Sequence, residues 1–393
     1  MPTDKINITK IEVLEFNCEL GRPSMGDGSG YWRILGGIRI HTNLGITGEY
    51  VGTHPSEYAG LRHYALYLMG LNPLEREKIY TISKLATRQI GFLSMGVLDI
   101  ALWDIAGKFY GSPVYELLGG YRKKLPTYAS TYQGEIGTAL GTPEAYADFA
   151  IQCKELGYPG FKIHPIKGEN IDLDIKTVMA VRSAVGDDMD LMIDPACNYR
   201  TFLDALKVGQ ACDEANYLWY EDPYSDGGIS SHGHFQLKSL IKTPLLQGEH
   251  VRMLEPNVNF MKSGGTDLIR VDPDFDGGIT GAMKIGHAAE GFGLDAEIHN
   301  CGPAHRHVMA SLRNSNYYEM ALLHPEAPPS AVPVYVNGYS DDLNSIDEQG
   351  CVSVPEGPGL GVEYDWEYIK NNQVTSTSSV SYTHLTLPTI LLV

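Results

Sequence analysis

The sequence predicts an α/β protein in which a barrel of alternating strands and helices follows an α+β module. Three observations lead there. From Pro126 onward, short apolar runs alternate with helix-like stretches, the pattern of βαβ units around a parallel sheet. Eight such runs lie between residues 126 and 320, close to the lower length limit of a (β/α)8 barrel. Seven successive runs, from the second to the eighth, end in ionisable residues, each about one βα unit from the last.

Taken in order, residues 6–18 alternate loosely and lead into the glycine-rich stretch GRPSMGDGSG. A second strand-like run, YWRILGGIRIHT, ends at an NLG turn, so antiparallel strands with long connections are expected. Residues 56–110 are mostly helical in pattern, and SMGVLDIALWDIAGK places Val97, Ala101, Asp104 and Ile105 at helical spacing. Strands followed by helices read as an α+β module. The barrel strands are expected at 126–131, 161–165, 190–196, 217–223, 245–249, 268–274, 294–300 and 317–320. A doubly wound open sheet is the alternative. It usually carries a glycine fingerprint after its first strand, and none stands there.

A chain of 393 residues allows two or three domains. Its net charge of −18 speaks against a nucleic-acid partner, which would want a basic face. Six scattered cysteines with no CxxC pair are expected to be reduced thiols in a cytoplasmic protein. The start, MPTDKINITKIEV, has no apolar core of a signal peptide, and no run of about 18 apolar residues suggests a membrane span. The Ser/Thr-rich end, 371–393, reads as a disordered or non-native tail.

The chemistry is expected at the strand ends. The second strand carries Lys162 and His164, two apart and therefore on one face. The next ends carry Asp194, Glu221, Glu249, Asp272, His299 and Glu319. In a barrel these ends converge on the face where active sites sit. Asp194, Glu221 and Glu249 cannot converge as ions without a cation. An all-oxygen set suits Mg²⁺, one per site. Surface acids paired with Lys or Arg are the bland alternative for any single one. Lys162 suits a substrate carboxylate, and His164 suits proton transfer. A core histidine and a rim salt bridge are their bland counterparts. Asp272 behind His299 would orient the imidazole. Glu319 could donate to an oxyanion if burial keeps it protonated. His232 and His234 are placed in a loop, and His305 and His307 on a helix surface.

These motifs resemble the enolase superfamily and, within it, the mandelate racemase/muconate lactonizing enzyme-like subgroup. The resemblance covers roughly residues 5–370. It rests on FKIHP, MIDPA, WYEDP, QGE, VDPDFDGGIT with EIHN, and YYEM, in order. It implies a (β/α)7β TIM-like barrel at 126–324. The α+β cap would be residues 1–125, completed by 325–370. It implies Asp194, Glu221 and Glu249 as Mg²⁺ ligands, Asp272 with His299 as a dyad, and Glu319 at the bound carboxylate. Cap loops around Arg22 to Arg33 and Val51 to Pro55, including His54, would select substrate, and the chain would form homo-oligomers. His164 stands where the family's strand motif has a second Lys, and the frequent Asn two residues after Asp194 is missing.

The function expected first is a Mg²⁺-dependent acid-sugar dehydratase acting through an enediolate on a small carboxylate. A racemase or epimerase of a 2-hydroxy acid comes second, and a non-catalytic sugar-acid binding protein third.

Overall fold

The computed structural model describes residues 5–20, 31–52, 56–168, 170–325 and 334–380. Strands β1 (Ile8–Leu20), β2 (Tyr31–Thr42) and β3 (Thr47–Gly52) form an antiparallel sheet in which Val13 faces Ile38 and Ile38 faces Tyr50. Two one-turn helices follow, α1 (Ser56–Ala59) and α2 (Leu61–Tyr64), and then α3 (Arg76–Thr87), α4 (Ser94–Tyr110) and α5 (Val114–Leu117). Helix α4 is buried on every side from Ser94 to Gly107, which explains why its sequence is apolar all round.

Eight parallel strands come next: β4 (Lys124–Thr131), β5 (Gly160–Ile163), β6 (Asp190–Ile193), β7 (Trp219–Glu221), β8 (Leu245–Gln247), β9 (Leu268–Val271), β10 (Asp295–Ile298) and β11 (Tyr318–Leu323). Each of the first seven is followed by a helix: α6 (Pro143–Leu156), α7 (Ile171–Val185), α8 (Phe202–Glu214), α9 (Ser231–Lys238), α10 (Leu254–Lys262), α11 (Gly278–Phe292) and α12 (Pro303–Ser311). Local signals start several of these helices. Thr142, Asn170 and Thr201 each accept a backbone N–H from the first turn of α6, α7 and α8. The strands pair in the order β11-β4-β5-β6-β7-β8-β9-β10. The two ends meet where the Asn300 N–H donates to Glu319 Oε2 (2.8 Å). This is the (β/α)7β arrangement.

The end of the chain returns to both sheets. Strand β12 (Cys351–Ser353) pairs antiparallel with β4, and helix α13 (Trp366–Asn371) leads into β13 (Gln373–Val380), which pairs with β1. Residues 373–380 therefore correct the expectation of a disordered tail. Their sequence, QVTSTSSV, is short of apolar residues, yet their backbone completes the sheet edge. Residues 381–393 lie outside the described residues.

The antiparallel sheet and its helices sit directly on the barrel mouth. A Cβ on Gly96 of α4 would come within 1.9 Å of the Asp274 carbonyl, so only glycine permits this approach. Tyr50 Oη donates to Asp274 Oδ1 (2.5 Å), and Asp99 accepts from the backbone N–H and hydroxyl of Thr280.

His305 and His307 are fully buried, which corrects their expected place on a helix surface. His307 Nδ1 accepts the Tyr115 N–H, and its Nε2–H donates to the Leu360 carbonyl, both at 3.1 Å. Burial holds this imidazole down at about 4 from an ordinary 6.5. The unfolded chain thus takes up a proton first as pH falls, and stability declines from about pH 6.5 to about pH 4. This group alone should cost about 2 kcal/mol between pH 7 and pH 5. Denaturant unfolding of His307→Gln should lack that increment; identical pH dependence in both proteins would refute it.

Candidate active site

The sequence turns polar at the strand ends because these residues leave the apolar barrel wall and enter its mouth. Lys162 lies at the centre, 1 % exposed. Its Nζ is 3.2 Å from Asp194 Oδ2, 3.0 Å from Glu221 Oε2 and 2.9 Å from Glu319 Oε1. One oxygen each of Asp194, Glu221 and Glu249 lies within 4.8 Å of the others, and all three side chains are buried. Buried carboxylates this close repel one another unless cations intervene. A hard divalent cation is what such an oxygen set fits.

Two imidazoles bracket the triad. On β5's side, the His164 Nδ1–H donates to the Thr131 carbonyl (2.7 Å), while Nε2 faces Asp194 Oδ2 (3.1 Å). On β10's side, His299 Nδ1 faces Asp272 Oδ2 (2.5 Å) and Nε2 faces Glu249 Oε2 (3.2 Å). Both nitrogens of each ring thus face acceptors, which favours the imidazolium. Burial pushes both rings down, but the carboxylates outweigh it. His164 is raised by Asp194, and His299 is raised to about 9 by Glu249 and Asp272. Burial likewise opposes Asp194 and Glu249, yet Lys162 and His164 hold the first below its ordinary value, and His299 and His250 the second.

Asp272 is fixed from several directions. Its Oδ1 accepts the Asp274 N–H (2.8 Å) and lies 3.4 Å from His305 Nε2, and its own N–H donates to Asp276 Oδ2 (2.8 Å). Glu319 needs correction. Burial alone would protonate it, but Lys162, then Arg270 and His299, hold it well below the usual carboxylate range. In this network it is an anion, not a donor.

Arg270 is the participant that the strand-end reading missed. It is completely buried and forks Glu221, Nε to Oε1 at 2.5 Å and Nη2 to Oε2 at 2.7 Å. Nη1 donates to the Ile298 carbonyl and Nη2 to Tyr128 Oη. The signal was present: Arg270 stands two residues before Asp272 and so shares its inward face. Arg270→Met should cost roughly 3–5 kcal/mol, because Glu221 keeps its buried charge with only Lys162, already shared with Asp194 and Glu319, left to face it. Denaturant unfolding checks it, and a loss under about 1 kcal/mol would contradict that role.

Two histidines expected in a loop stand on a helix instead. His234 is buried on α9, its Nδ1 2.8 Å from the Ser230 carbonyl and its ring stacked on Tyr224, and His232 on the same helix is exposed. Arg22, His54 and the side chain of Arg33 lie outside the described residues. None of the six cysteines is in a disulfide. Among the described residues, no helix is long and apolar enough to cross a membrane.

Comparison with known proteins agrees with this arrangement. Residues 145–368 match the family described as enolase C-terminal domain-like. The chain is 30% identical over 281 residues to a D-gluconate/D-galactonate dehydratase of Picrophilus torridus, covering 69% of each chain. It is 28% identical over 280 residues to a D-gluconate dehydratase of Thermoproteus tenax, covering 68% of this chain but only 54% of that one. A crystal structure of D-glucarate dehydratase from Agrobacterium tumefaciens, complexed with magnesium, superimposes with a TM-score of 0.83 at 29% identity, over 94% of this chain and 99% of that one.

Proposed function

The chain belongs to the enolase C-terminal domain-like family, and from that premise we propose that it is a Mg²⁺-dependent acid-sugar dehydratase. It would convert an aldonate or aldarate to a 2-keto-3-deoxy acid. One observation carries this reading: three buried carboxylates on successive strands, flanked by an imidazole on each side. The dehydratase relatives and the magnesium complex supply the reaction class and the ion.

Asp194, Glu221 and Glu249 would hold the ion. When bound, Mg²⁺ supplies positive charge that makes a proton next to a carboxylate easier to remove. The rest falls to side chains of the chain. Lys162 offers an ammonium to the substrate carboxylate. Ligation by Asp194 and Glu249 would take from His164 Nε2 and His299 Nε2 the carboxylate that each faces, while Asp272 stays on His299 Nδ1. Each can then exchange a proton with substrate. His299, oriented by Asp272, takes the C2 proton and leaves an enediolate. The opposite imidazole, or His299 in its acid form, gives a proton to the departing 3-hydroxyl. Arg270 keeps Glu221 fixed throughout.

The two imidazoles also favour a second reading, a racemase or epimerase of a 2-hydroxy acid. That reaction needs two proton carriers and no leaving group. Product analysis separates the two. With Mg²⁺ and a panel of aldonic and aldaric acids, a semicarbazide-trapped ketone that EDTA abolishes is the expected result. An epimer with no ketone would replace dehydration with the second reading.

A further inference from the structure

The strands that carry the triad carry a second set of donors just beyond it. Cys197 follows Asp194, Asp222 follows Glu221, and His250 follows Glu249. A sulfur, a carboxylate oxygen and an imidazole nitrogen of these three residues lie within 4.8 Å of one another. We propose that Cys197, Asp222 and His250 form a second cation site, for a thiophilic divalent ion of the Zn²⁺ class.

The carboxylate of Asp222 points to a ligand. It is 1 % exposed, and neither of its oxygens has a hydrogen-bond partner. The imidazole of His250 stands 3.6 Å away, its Nε2 also 3.1 Å from Glu249 Oε1. Buried polar atoms are nearly always partnered, and an ionised carboxylate left alone is costly. A cation at this place supplies what Asp222 lacks.

The frame is built from backbone. The Cys197 N–H donates to the Asp222 carbonyl (2.8 Å), the Tyr199 N–H to Pro223 (3.2 Å), and the Ser225 N–H to Tyr199 (2.7 Å). These bonds lock the loop after β6 to the loop after β7. Gly228 closes over the cluster. A Cβ there would lie 2.8 Å from His250 Cδ2 and 3.1 Å from Asp222 Oδ1, so a side chain would fill the space between the donors and the loop.

The donor types decide which ion binds. The triad offers only oxygen, which suits Mg²⁺. The second set offers sulfur, nitrogen and oxygen, the mixture Zn²⁺ takes at bonds of about 2.0–2.3 Å. Such bonds bring donor atoms to within about 4 Å of one another, a small closure from the present spacing. Three protein ligands leave a fourth position, which water can reach past the exposed edge of His250.

The test uses the full chain loaded with Mg²⁺, with Co²⁺ as the probe and no substrate. The site predicts one further equivalent of Co²⁺ and a near-ultraviolet thiolate-to-cobalt charge-transfer band. Cys197→Ser should remove the band, and Asp222→Asn should weaken the second equivalent at least tenfold; both should bind Mg²⁺ as before. Oxygen-only ligation at the triad gives no such band, so the readout separates the two sites. It also stands if the dehydratase reading fails, because no turnover is measured. Absence of the band, or its survival in Cys197→Ser, would overturn the proposal.

Discussion

Glu249→Gln should abolish turnover, lowering it by about a thousandfold or more, and should weaken Mg²⁺ binding by roughly a hundredfold. Among the triad carboxylates this one isolates the ligand role best. Glu221 is locked to Arg270, and Asp194 shares Lys162. Replacing either disturbs a buried ion pair. Glu249 faces the imidazoles of His250 and His299. These partners are more exposed than Arg270, so the substitution should lower the melting temperature less than Glu221→Gln does, while calorimetry registers the lost Mg²⁺ affinity. Unaltered Mg²⁺ binding would remove Glu249 from the ligand set.

His299→Asn should lower turnover by about 10²–10⁴-fold, the usual contribution of a general acid–base group, with Mg²⁺ affinity retained. Asp272→Asn should act in the same direction, since Asp272 fixes the ring through Nδ1 (2.5 Å). The pH profile carries a second check. His299 stands at about 9 with Glu249 as the strongest raising charge. As a base it must first lose its proton, so activity rises with pH on the acid side. Mg²⁺ ligation by Glu249 would take that charge away, and the midpoint of the rise should then lie below 9. A flat acid limb, or a His299→Asn enzyme within tenfold of the parent, would assign the proton transfer elsewhere.

The parts of the site that could be read from the chain share a physical cause. Barrel strands repeat at regular intervals, and their wall is apolar, so an ionisable residue at the end of each run stands out against it. Lys162 and His164 share a face because strands alternate. The triad was legible because its acids recur one βα unit apart. Features that depend on neighbours from distant segments were not legible. The charge of Glu319 is set by Lys162, Arg270 and His299, which come from three other strands. Arg270 lies inside a run that otherwise reads as apolar core. His305 and His307 look polar on a helix, yet α12 packs them inward. Strand β13 has almost no apolar pattern; pairing with β1, not composition, makes it a strand.

The central claim is metal-assisted removal of a proton next to a carboxylate. The most direct test follows the C2 proton of an accepted sugar acid by NMR in D₂O. The account predicts that this signal disappears with Mg²⁺ present, and that it persists with EDTA or in His299→Asn. Turnover with the C2 proton retained in the product, or loss of the signal unaffected by EDTA and by His299→Asn, would contradict it.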